Sequence, residues 1–322
     1  MRDSGNHRFL LLGFCLASAV LTVLIMTRGG SSVTARWRLV MADTLNDAPS
    51  IKDLSFMDPR QGWAITPAVL WETTDGGQTW KEQLKANDEV FCSLRFINQT
   101  SGWIASSQLS AGGSILRTRD GGKTWLRYPV KALTVIESMS FCNSNAGLAI
   151  GNNVIIHTVD EGETWETQYH GDDQDILFDV TCISPERAWV VGSDGIILHT
   201  TDGGRKWDHQ DSKTKSWLRR VRFFGDKGWI VGNDGTILQT QDGGATWEPQ
   251  KAPVSATLLD IYVDDLQGWA IGEEGIILHT NDGGRSWQRQ MSPTKNTLES
   301  LSFFGHQGWA GGSRRTLLHY SE

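Results

Sequence analysis

The chain has 322 residues, a formal net charge of −7 and an isoelectric point near 5.6. This acidic balance argues against general nucleic-acid binding, because nucleic-acid-binding domains present basic patches or stripes. The length is enough for two domains. However, the unusual ratio of 15 tryptophans to four tyrosines is explained by one repeated unit that fills a single domain.

An uncharged apolar run of 18 residues occupies positions 9–26 and is flanked by arginines. A run of this length is typical of a signal sequence or of a short membrane span. We interpret residues 1–8 as a cytoplasmic n-region, 9–26 as an uncleaved signal anchor and 27–35 as a flexible linker. A cleaved signal is the alternative. The main domain, residues 36–322, is expected to be exported and tethered to the membrane.

After residue 40 the chain repeats a unit of about 40 residues. The unit opens with an alternating strand such as Val221-Arg222-Phe223, and a second strand begins at Gly228-Trp229. The two-residue turn Asp234-Gly235 then leads to the apolar run Ile237-Leu238, which is a strong hairpin signal. We expect four short antiparallel strands, A to D, in each unit and no helix after residue 40.

A hexapeptide of the Asp-box type separates strands C and D in six units, with starts 45, 40, 42, 40 and 40 residues apart. It predicts a tight turn in which the aspartate accepts backbone N–H bonds from two or three residues on. The third residue is a glycine with positive φ, and the closing tryptophan is a buried peg. Because six equivalent copies on separate units make no single catalytic centre, we interpret the aspartates as structural. They are Asp75, Asp120, Asp160, Asp202, Asp242 and Asp282.

Seven strands of type A but only six boxes occur in the chain, and units of four strands and about 40 residues are propeller blades. The last unit lacks strand D, because Glu322 aligns with the box aspartate. We therefore predict an all-β, seven-bladed propeller of four-stranded antiparallel blades. Its last blade is completed by an N-terminal strand at residues 36–41, which pairs with residues 315–320 and removes the exposed sheet edges.

Cysteines and histidines also recur at fixed positions of the repeat. We interpret three cysteines beside strand A of successive units as small buried apolar residues, with a disulfide as the open alternative; they are Cys92, Cys142 and Cys182. Four histidines share one position on strand C and are expected to be surface residues of separate blades; they are His157, His199, His279 and His319. Since metal ligands must converge on one point, we predict no metal site and no cofactor.

One stretch between blades 4 and 5 departs from the repeat, with five basic residues and a tryptophan in ten positions. It belongs to the face opposite the boxes. Solvated loop charge is the simple interpretation, but arginine and tryptophan are also enriched at interface hot spots. We therefore take this stretch, with the last blade's B–C turn, as the candidate partner-binding patch. It comprises Lys213, Lys215, Trp217, Arg219, Arg220, Arg222, Arg314 and Arg315.

Asp boxes also occur in sialidases and in xyloglucan-degrading propellers, so an enzyme must be considered. Glycoside hydrolysis needs two opposed carboxylates, and Asp53, Asp179 and Asp260 precede the cores of A strands where they would line the channel. The sialidase pattern of three arginines and a Tyr–Glu pair is not recognisable. We predict no enzyme, and keep a carbohydrate-active or carbohydrate-binding propeller as the alternative.

The tandem Gly-Trp and T-x-D-G-G-x-T-W repeats, the terminal closure and the N-terminal export segment resemble the photosystem II stability and assembly factors. The resemblance covers residues 37–322. It implies a non-enzymatic, monomeric scaffold that binds a membrane protein or its assembly intermediate. It also implies that Arg219, Arg220 and Arg222 stand where this family has its arginine patch. The compartment implied is the periplasm or one of the thylakoid-lumen type.

Overall fold

The computed structural model describes residues 37–45, 47–108, 112–133 and 135–321. Over these ranges the chain forms 28 strands in seven four-stranded antiparallel sheets. The only helical segments found there are three single 3₁₀ turns, and none of the described helices is long and apolar enough to cross a membrane. The predicted n-region, anchor and linker, together with Arg36 and Glu322, lie outside the described residues.

Blades 1 to 6 each take four consecutive strands, A to D, numbered along the chain. Blade 1 contains β2 (Asp53–Phe56), β3 (Gly62–Ile65), β4 (Val69–Thr73) and β5 (Lys81–Lys85). Blade 2 contains β6 (Val90–Phe96), β7 (Gly102–Gln108), β8 (Gly112–Thr118) and β9 (Leu126–Val130). Blade 3 contains β10 (Ser138–Phe141), β11 (Gly147–Gly151), β12 (Val154–Thr158) and β13 (Glu166–His170). Blade 4 contains β14 (Leu177–Cys182), β15 (Ala188–Gly192), β16 (Ile197–Thr200) and β17 (Asp208–His209).

Blade 5 contains β18 (Leu218–Phe224), β19 (Lys227–Gly232), β20 (Ile237–Thr240) and β21 (Glu248–Gln250). Blade 6 contains β22 (Leu258–Asp264), β23 (Gln267–Gly272), β24 (Ile277–Thr280) and β25 (Gln288–Gln290). Blade 7 contains β26 (Leu298–Phe304), β27 (Gln307–Gly312) and β28 (Thr316–Tyr320), with β1 (Trp37–Met41) as its fourth strand. The predicted seven-bladed propeller is confirmed.

Strand β1 closes the ring as predicted. It pairs with β28 in antiparallel register, with Trp37 opposite Tyr320 and Arg38 opposite His319. The Trp37 side chain is 3% exposed, and its ring centroid lies 5.4 Å from that of Tyr320 and 6.0 Å from that of Phe303. Because every sheet has four strands and the first and last blades are neighbours, the hydrophobic core continues around the ring.

The first strand of each blade lies innermost, since each A strand contacts the A strands of both neighbouring blades, including β2 with β26 across the closure. Antiparallel order then places the A–B and C–D turns on one face, here called the box face. The B–C turns and the D–A connections lie on the other, here called the loop face. Side chains of the inner strands that point away from the core therefore meet near the propeller axis.

An aromatic seam joins neighbouring blades. At five of the seven junctions a tryptophan from strand B of one blade packs on a phenylalanine from strand A of the next, which buries two large rings. The centroids are 3.8 Å apart for Trp63 and Phe96, and 3.7 Å apart for Trp309 and Phe56 across the closure. This explains why Gly-Trp opens the B strands, because the glycine leaves room for the A-strand ring beside it.

The B–C turns of blades 4 to 7 have the predicted two-residue geometry. In blade 4, Asp194 and Gly195 have φ values of 51° and 77°, so both central residues lie in the left-handed region that such hairpin turns require. In blade 7 the same two positions are held by Arg314 and Arg315, with φ values of 54° and 53°. These two arginines thus occupy a backbone conformation that favours Gly, Asn and Asp.

Two junctions lack the aromatic pair. Between blades 5 and 6, Val263 holds the phenylalanine position; between blades 3 and 4, Leu148 and Cys182 hold the tryptophan and phenylalanine positions. A disulfide joins Cys142 to Cys182 at this junction, with their Cα atoms 5.3 Å apart. Cys92 is a free thiol. Our interpretation of all three as small buried apolar residues is therefore wrong for the disulfide pair, and the covalent link stands where stacking is missing.

Candidate functional site

The Asp boxes form turns held by their own side chains, as blade 1 shows. Thr73 Oγ1 donates to Asp75 Oδ1 at 2.8 Å, and the N–H of Gly77 donates to Thr73 Oγ1 at 2.9 Å. The backbone N–H and the hydroxyl of Thr79 donate to the two carboxylate oxygens at 2.9 and 2.6 Å. These bonds to the ionised form lower the pKa of Asp75 to about 2. The side-chain oxygens are thus committed to the turn.

Most predicted details of the box hold, with one correction. The 2.9 Å backbone bond to the aspartate comes from Thr79, four residues on, rather than from two or three. The N–H of Gln78, three residues on, adds only the smallest contribution to the lowered pKa. The third residue does have positive φ in every box, with Gly244 at 82°. A Cβ on Gly244 would also lie 2.5 Å from the Trp189 ring of the preceding blade, so the box is an element of blade packing.

Three of the four repeated histidines, His199, His279 and His319, lie beside tryptophans, and all four are half-buried. His199 stacks on Trp189 with centroids 4.4 Å apart, and His319 lies 5.1 Å from Trp309. Burial lowers the pKa of both imidazoles, and nearby arginines lower it further. Our expectation of surface residues is thus wrong for these two, which are packing residues of the outer part of the blade. No group of three potential ligands is placed to hold a metal ion in the described part of the chain.

The structure divides the predicted basic patch into separate regions. At the loop face, the Arg219 guanidinium lies 4.5 Å from the Phe178 ring and 5.0 Å from the Trp217 ring, which fits cation–π stacking. Arg219 Nε also donates to Asn233 Oδ1 at 2.9 Å, and Trp217 remains 37% exposed. We call Phe178, Trp217 and Arg219 the loop-face shelf.

Arg220 and Arg222 belong instead to the inner strand β18 and reach acids of both neighbouring blades. Arg220 lies 3.4 Å from Asp179 Oδ1 and 3.3 Å from Asp260 Oδ1. Arg222 lies 2.9 Å from Asp179 Oδ2 and 3.5 Å from Asp260 Oδ1. Two of the three acids predicted to line the channel are therefore paired with two arginines of the predicted partner-binding patch. These four residues, with Asp53 and Arg95, are called the axial cluster.

The acids of the axial cluster also link neighbouring blades through hydrogen bonds to the backbone. Asp179 Oδ2 accepts the backbone N–H of Val221 at 2.9 Å, and Asp260 Oδ2 accepts that of Leu301 at 2.8 Å. Burial alone would raise the pKa of Asp179, but the two arginines and these hydrogen bonds outweigh it and hold the pKa below its usual range. Burial alone would likewise lower the pKa of Arg220, but Asp260 and Asp179 outweigh it and raise that pKa.

Arg95 is the axial residue that sequence reasoning missed. It occupies the same position of strand A in blade 2 as Arg222 does in blade 5, two residues after the position of the acids. Aligning the seven A strands residue by residue would have found it, because the alternation that buries Leu94 and Phe96 sends Arg95 to the other side.

The remaining patch residues lie apart from the shelf. Lys213 forms an ion pair with Glu248 of strand β21, and Lys215 is exposed nearby. Arg315 in blade 7 stacks over Trp71 of blade 1 at 5.6 Å, and its N–H donates to the Pro49 carbonyl at 3.0 Å. The described contacts of the blade 7 turn are thus with blade 1 and with the segment between β1 and β2, and not with the shelf.

An open depression of about 610 Å³ lies between the B–C turn of blade 4 and the Lys213 loop. A second depression of about 590 Å³ occupies the matching place in blade 6, between Glu274 and Lys295. Because the same loop arrangement produces both, we regard them as products of the repeat rather than as a specific ligand site.

Comparison with known proteins identifies the relatives of this chain. A family model described as "Photosynthesis system II assembly factor YCF48" matches residues 31–133, 129–216, 167–251, 207–290 and 245–322. A curated relative, "Photosystem II assembly lipoprotein Ycf48" of Synechococcus sp. (strain CC9902), is 29% identical over 165 residues, which are 49% of this chain and 46% of the relative. The chain spans about half the length of the curated relatives it matches.

Two solved structures show the same fold at low identity. "YCF48 bound to D1 peptide" has a TM-score of 0.74 at 24% identity, covering 89% of this chain and 97% of that one. The GH74 enzyme of Niastella koreensis has a TM-score of 0.71 at 12% identity, covering 86% and 53%. At these identities the likeness shows the fold alone, so function must be argued from the site.

Proposed function

From the premise that this chain belongs to the YCF48 family of photosystem II assembly factors, we propose that it is a non-enzymatic scaffold that binds a membrane protein during assembly. The observation that carries this proposal is the loop-face shelf, where a guanidinium is presented on two aromatic rings, one of which belongs to the exposed Trp217. Such a site suits an extended polypeptide with an acidic side chain. The name of one similar structure, "YCF48 bound to D1 peptide", supports a peptide ligand.

The residues of the predicted patch differ in how accessible they are to a partner polypeptide. Trp217 and Lys215 are exposed and Arg219 is half-buried, so an incoming chain can reach all three. Arg220 and Arg222 are engaged by acids of the neighbouring blades, and a partner would have to compete with those acids. We therefore propose that the shelf makes the first contact, and that the two arginines of the blade 7 turn form a separate contact.

The axial geometry also supports a non-enzymatic role. A glycosidase needs one carboxyl group with a raised pKa as its general acid. Asp179 instead has a lowered pKa and is surrounded by donors, and Asp260 accepts the backbone N–H groups of Ile261 and Leu301. The carbohydrate-active alternative rests on fold likeness to GH74 enzymes alone.

The test is crosslinking in native membranes followed by mass-spectrometric identification of what is captured. We expect the wild-type chain to recover a membrane protein, and the double variant Trp217→Ala and Arg219→Ala to lose most of that recovery. Arg205→Ala is the matched control, because Arg205 is an exposed arginine on the box face. Capture by the double variant at the wild-type level would rule out the shelf, and glycan binding without membrane-protein capture would favour the alternative.

We also propose export with a membrane tether at residues 9–26 and a monomeric propeller, in the periplasm or a thylakoid-lumen type of compartment. The name of a curated relative as a lipoprotein supports membrane association. Resistance to alkaline carbonate extraction, lost when residues 1–35 are deleted, is the expected result for a tether. Light scattering of the deleted form is expected to give the mass of one chain.

A further inference from the structure

A cleft of about 200 Å³ lies between blades 7 and 1, next to the closing strand β1, and is here called the closure pocket. Apolar and aromatic side chains make up most of its lining, which consists of Met41, Ile51, Ala64, Thr66, Trp71, Gln78, Trp80 and Arg315. An apolar cavity of about 150 Å³ is large enough to bind benzene. The closure pocket can therefore hold one ring with a small substituent.

Trp71 distinguishes this pocket from the rest of the repeat. It occupies the position of strand C at which each of the other blades carries a leucine or isoleucine that is at most 3% exposed, namely Leu116, Ile156, Leu198, Leu238, Leu278 and Leu318. Trp71 is only half-buried, and Trp80 of the first Asp box lines the same pocket. Two indole rings, which pack favourably against another aromatic ring, thus stand on the pocket wall.

Arg315 is the second departure from the repeat at this pocket. The corresponding residue of blades 4 to 6 is a glycine with positive φ, at Gly195, Gly235 and Gly275. Arg315 also has a positive φ, of 53°, in a region that residues other than glycine, asparagine and aspartate seldom adopt. Backbone strain of this kind is concentrated at ligand-binding sites, so we infer a binding role for the arginine side chain.

The Arg315 guanidinium is the single charged group on the described lining of the pocket. Its central carbon lies 5.6 Å from the centre of the Trp71 ring. Its Nε is buried without a hydrogen-bond partner, and no ion pair joins Arg315 to an acid in the part of the chain that the structure describes. Glu82, which stands opposite Trp71 across β4 and β5, pairs with Lys85 at 3.3 Å instead. A cation beside an apolar surface, with no acid to balance it, favours an anionic ligand.

We propose that the closure pocket binds a small aromatic monocarboxylic acid, with its carboxylate on Arg315 and its ring against Trp71 and Trp80. The volume admits one ring, and a single guanidinium balances one negative charge. A carboxylate also matches the guanidinium through two parallel hydrogen bonds. The site is independent of the partner polypeptide, because Arg314 on the same turn is exposed and stays available for the separate contact proposed above.

Fluorine NMR titration of the full chain tests the site with three probes. The first is para-fluorobenzoate, which has both the ring and the charge. The second, para-fluorobenzamide, keeps the ring without the charge, and the third, trifluoroacetate, keeps the charge without the ring. We expect the benzoate to bind with a Kd of about 1 mM or below, as suits a ligand of so few atoms. Each of the other two probes should bind at least about tenfold more weakly, because each lacks one of the two interactions.

Variants that restore the repeat separate binding from folding. Arg315→Gly gives blade 7 the residue that blades 4 to 6 carry, so it should keep its melting temperature while its affinity for the benzoate falls at least about tenfold. Trp71→Leu introduces a residue that other blades carry and should weaken binding of the benzoate several-fold. Arg38→Gln is the matched control, because Arg38 is an exposed arginine of β1 that does not line the pocket. It should bind the benzoate as the wild type does.

Arg315→Lys keeps the charge but not the paired donors, so intermediate affinity is expected, and this variant serves if the glycine variant does not fold. Equal affinity of the wild type and both Arg315 variants for the benzoate overturns the proposal. So does equal affinity of the wild type for the benzoate and either of the other probes, or no binding of the benzoate at all. Benzoate binding together with failed membrane-protein capture would refute the proposed function and leave this site standing.

Discussion

The third residue of each Asp box shows how two physical demands select one amino acid. The backbone there has a φ of 82–91°, a region that costs other residues about 1–2 kcal/mol. Side chains of the preceding blade also pack close to where a Cβ would stand: a tryptophan within 2.5 Å at Gly244 and Gly284, and Gln168 at Gly204. Positive φ is shared by all six third-position glycines, and the close packing at several of them adds to that demand, whereas the second residue is Glu161 in one box.

Gly244→Ala is expected to lower the free energy of unfolding by more than about 2 kcal/mol, since it adds the contact with Trp189 to the cost of positive φ. Gly225→Ala is the matched control: its φ is 59°, and nothing lies within 4 Å of the added Cβ. It should cost only about 1 kcal/mol. Denaturant titration of both variants measures the difference, and equal losses would show that packing adds nothing.

The repeated histidines predict a pH dependence of stability. Burial lowers the pKa of His157, His199 and His319 in the folded chain, whereas unfolded histidine titrates near pH 6.5. The unfolded state therefore binds protons first, so stability is fully present above about pH 6.5 and is lost as the pH falls below it. The triple change of these histidines to Gln, the residue that blade 5 carries as Gln239, should flatten this loss. Melting temperatures between about pH 7.5 and 5 provide the measurement, and an unchanged slope would contradict it.

Neighbouring blades are joined by a few kinds of contact between their strands: aromatic stacking, hydrogen bonds and a disulfide. Most junctions use a tryptophan stacked on a phenylalanine, and Trp309 also donates its indole N–H to the Gly76 carbonyl of the next blade at 2.9 Å. Aspartates on the inner strands also accept a hydrogen bond from a backbone N–H of the next blade. Between blades 5 and 6 the phenylalanine position holds Val263, which shares a hydrophobic cluster with Trp229. Between blades 3 and 4, where both rings are absent, the Cys142–Cys182 disulfide takes their place.

Breaking this disulfide should weaken that junction more than loss of an ordinary cysteine would. Cys142→Ser with Cys182→Ser is expected to lower the free energy of unfolding by about 2–4 kcal/mol, the usual range for a disulfide of this kind. Cys92→Ser should change it much less, because Cys92 is a free thiol. Calorimetry with and without reductant checks this prediction. A wild-type melting temperature that does not change when reductant is added would contradict it.

For the whole molecule, closure by β1 decides whether seven blades make one ring. Without it, β28 would present an unpaired edge, and such edges invite aggregation. The closing strand is anchored mainly at its first residue, since Trp37 is buried between Phe303 and Tyr320 while Leu39 is 46% exposed.

Trp37→Ala is therefore expected to destabilise the protein by about 3–5 kcal/mol, the range for loss of a buried aromatic side chain. Leu39→Ala, on the same strand, should cost about 0.5 kcal/mol or less. Thermal unfolding followed by tryptophan fluorescence measures both, and light scattering detects association through the exposed edge. Similar losses for the two variants would mean that the strand is held by backbone pairing alone.

The sequence by itself determined the propeller, the number of blades, the four strands of each blade and the closure by an N-terminal strand. These follow from local rules: strand alternation, the two-residue turn and the box recur in register, and the missing D strand of the last unit demands a donor. The tertiary structure decided which side chains of different blades contact one another, because the repeat pattern does not show this. It separated Arg219 at the loop face from Arg220 and Arg222 at the axis, paired Cys142 with Cys182 and set Arg220 and Arg222 against Asp179 and Asp260 of the neighbouring blades. Each of these depends on contacts between different blades, where residues far apart in the chain meet because the ring closes and its inner strands converge on one axis.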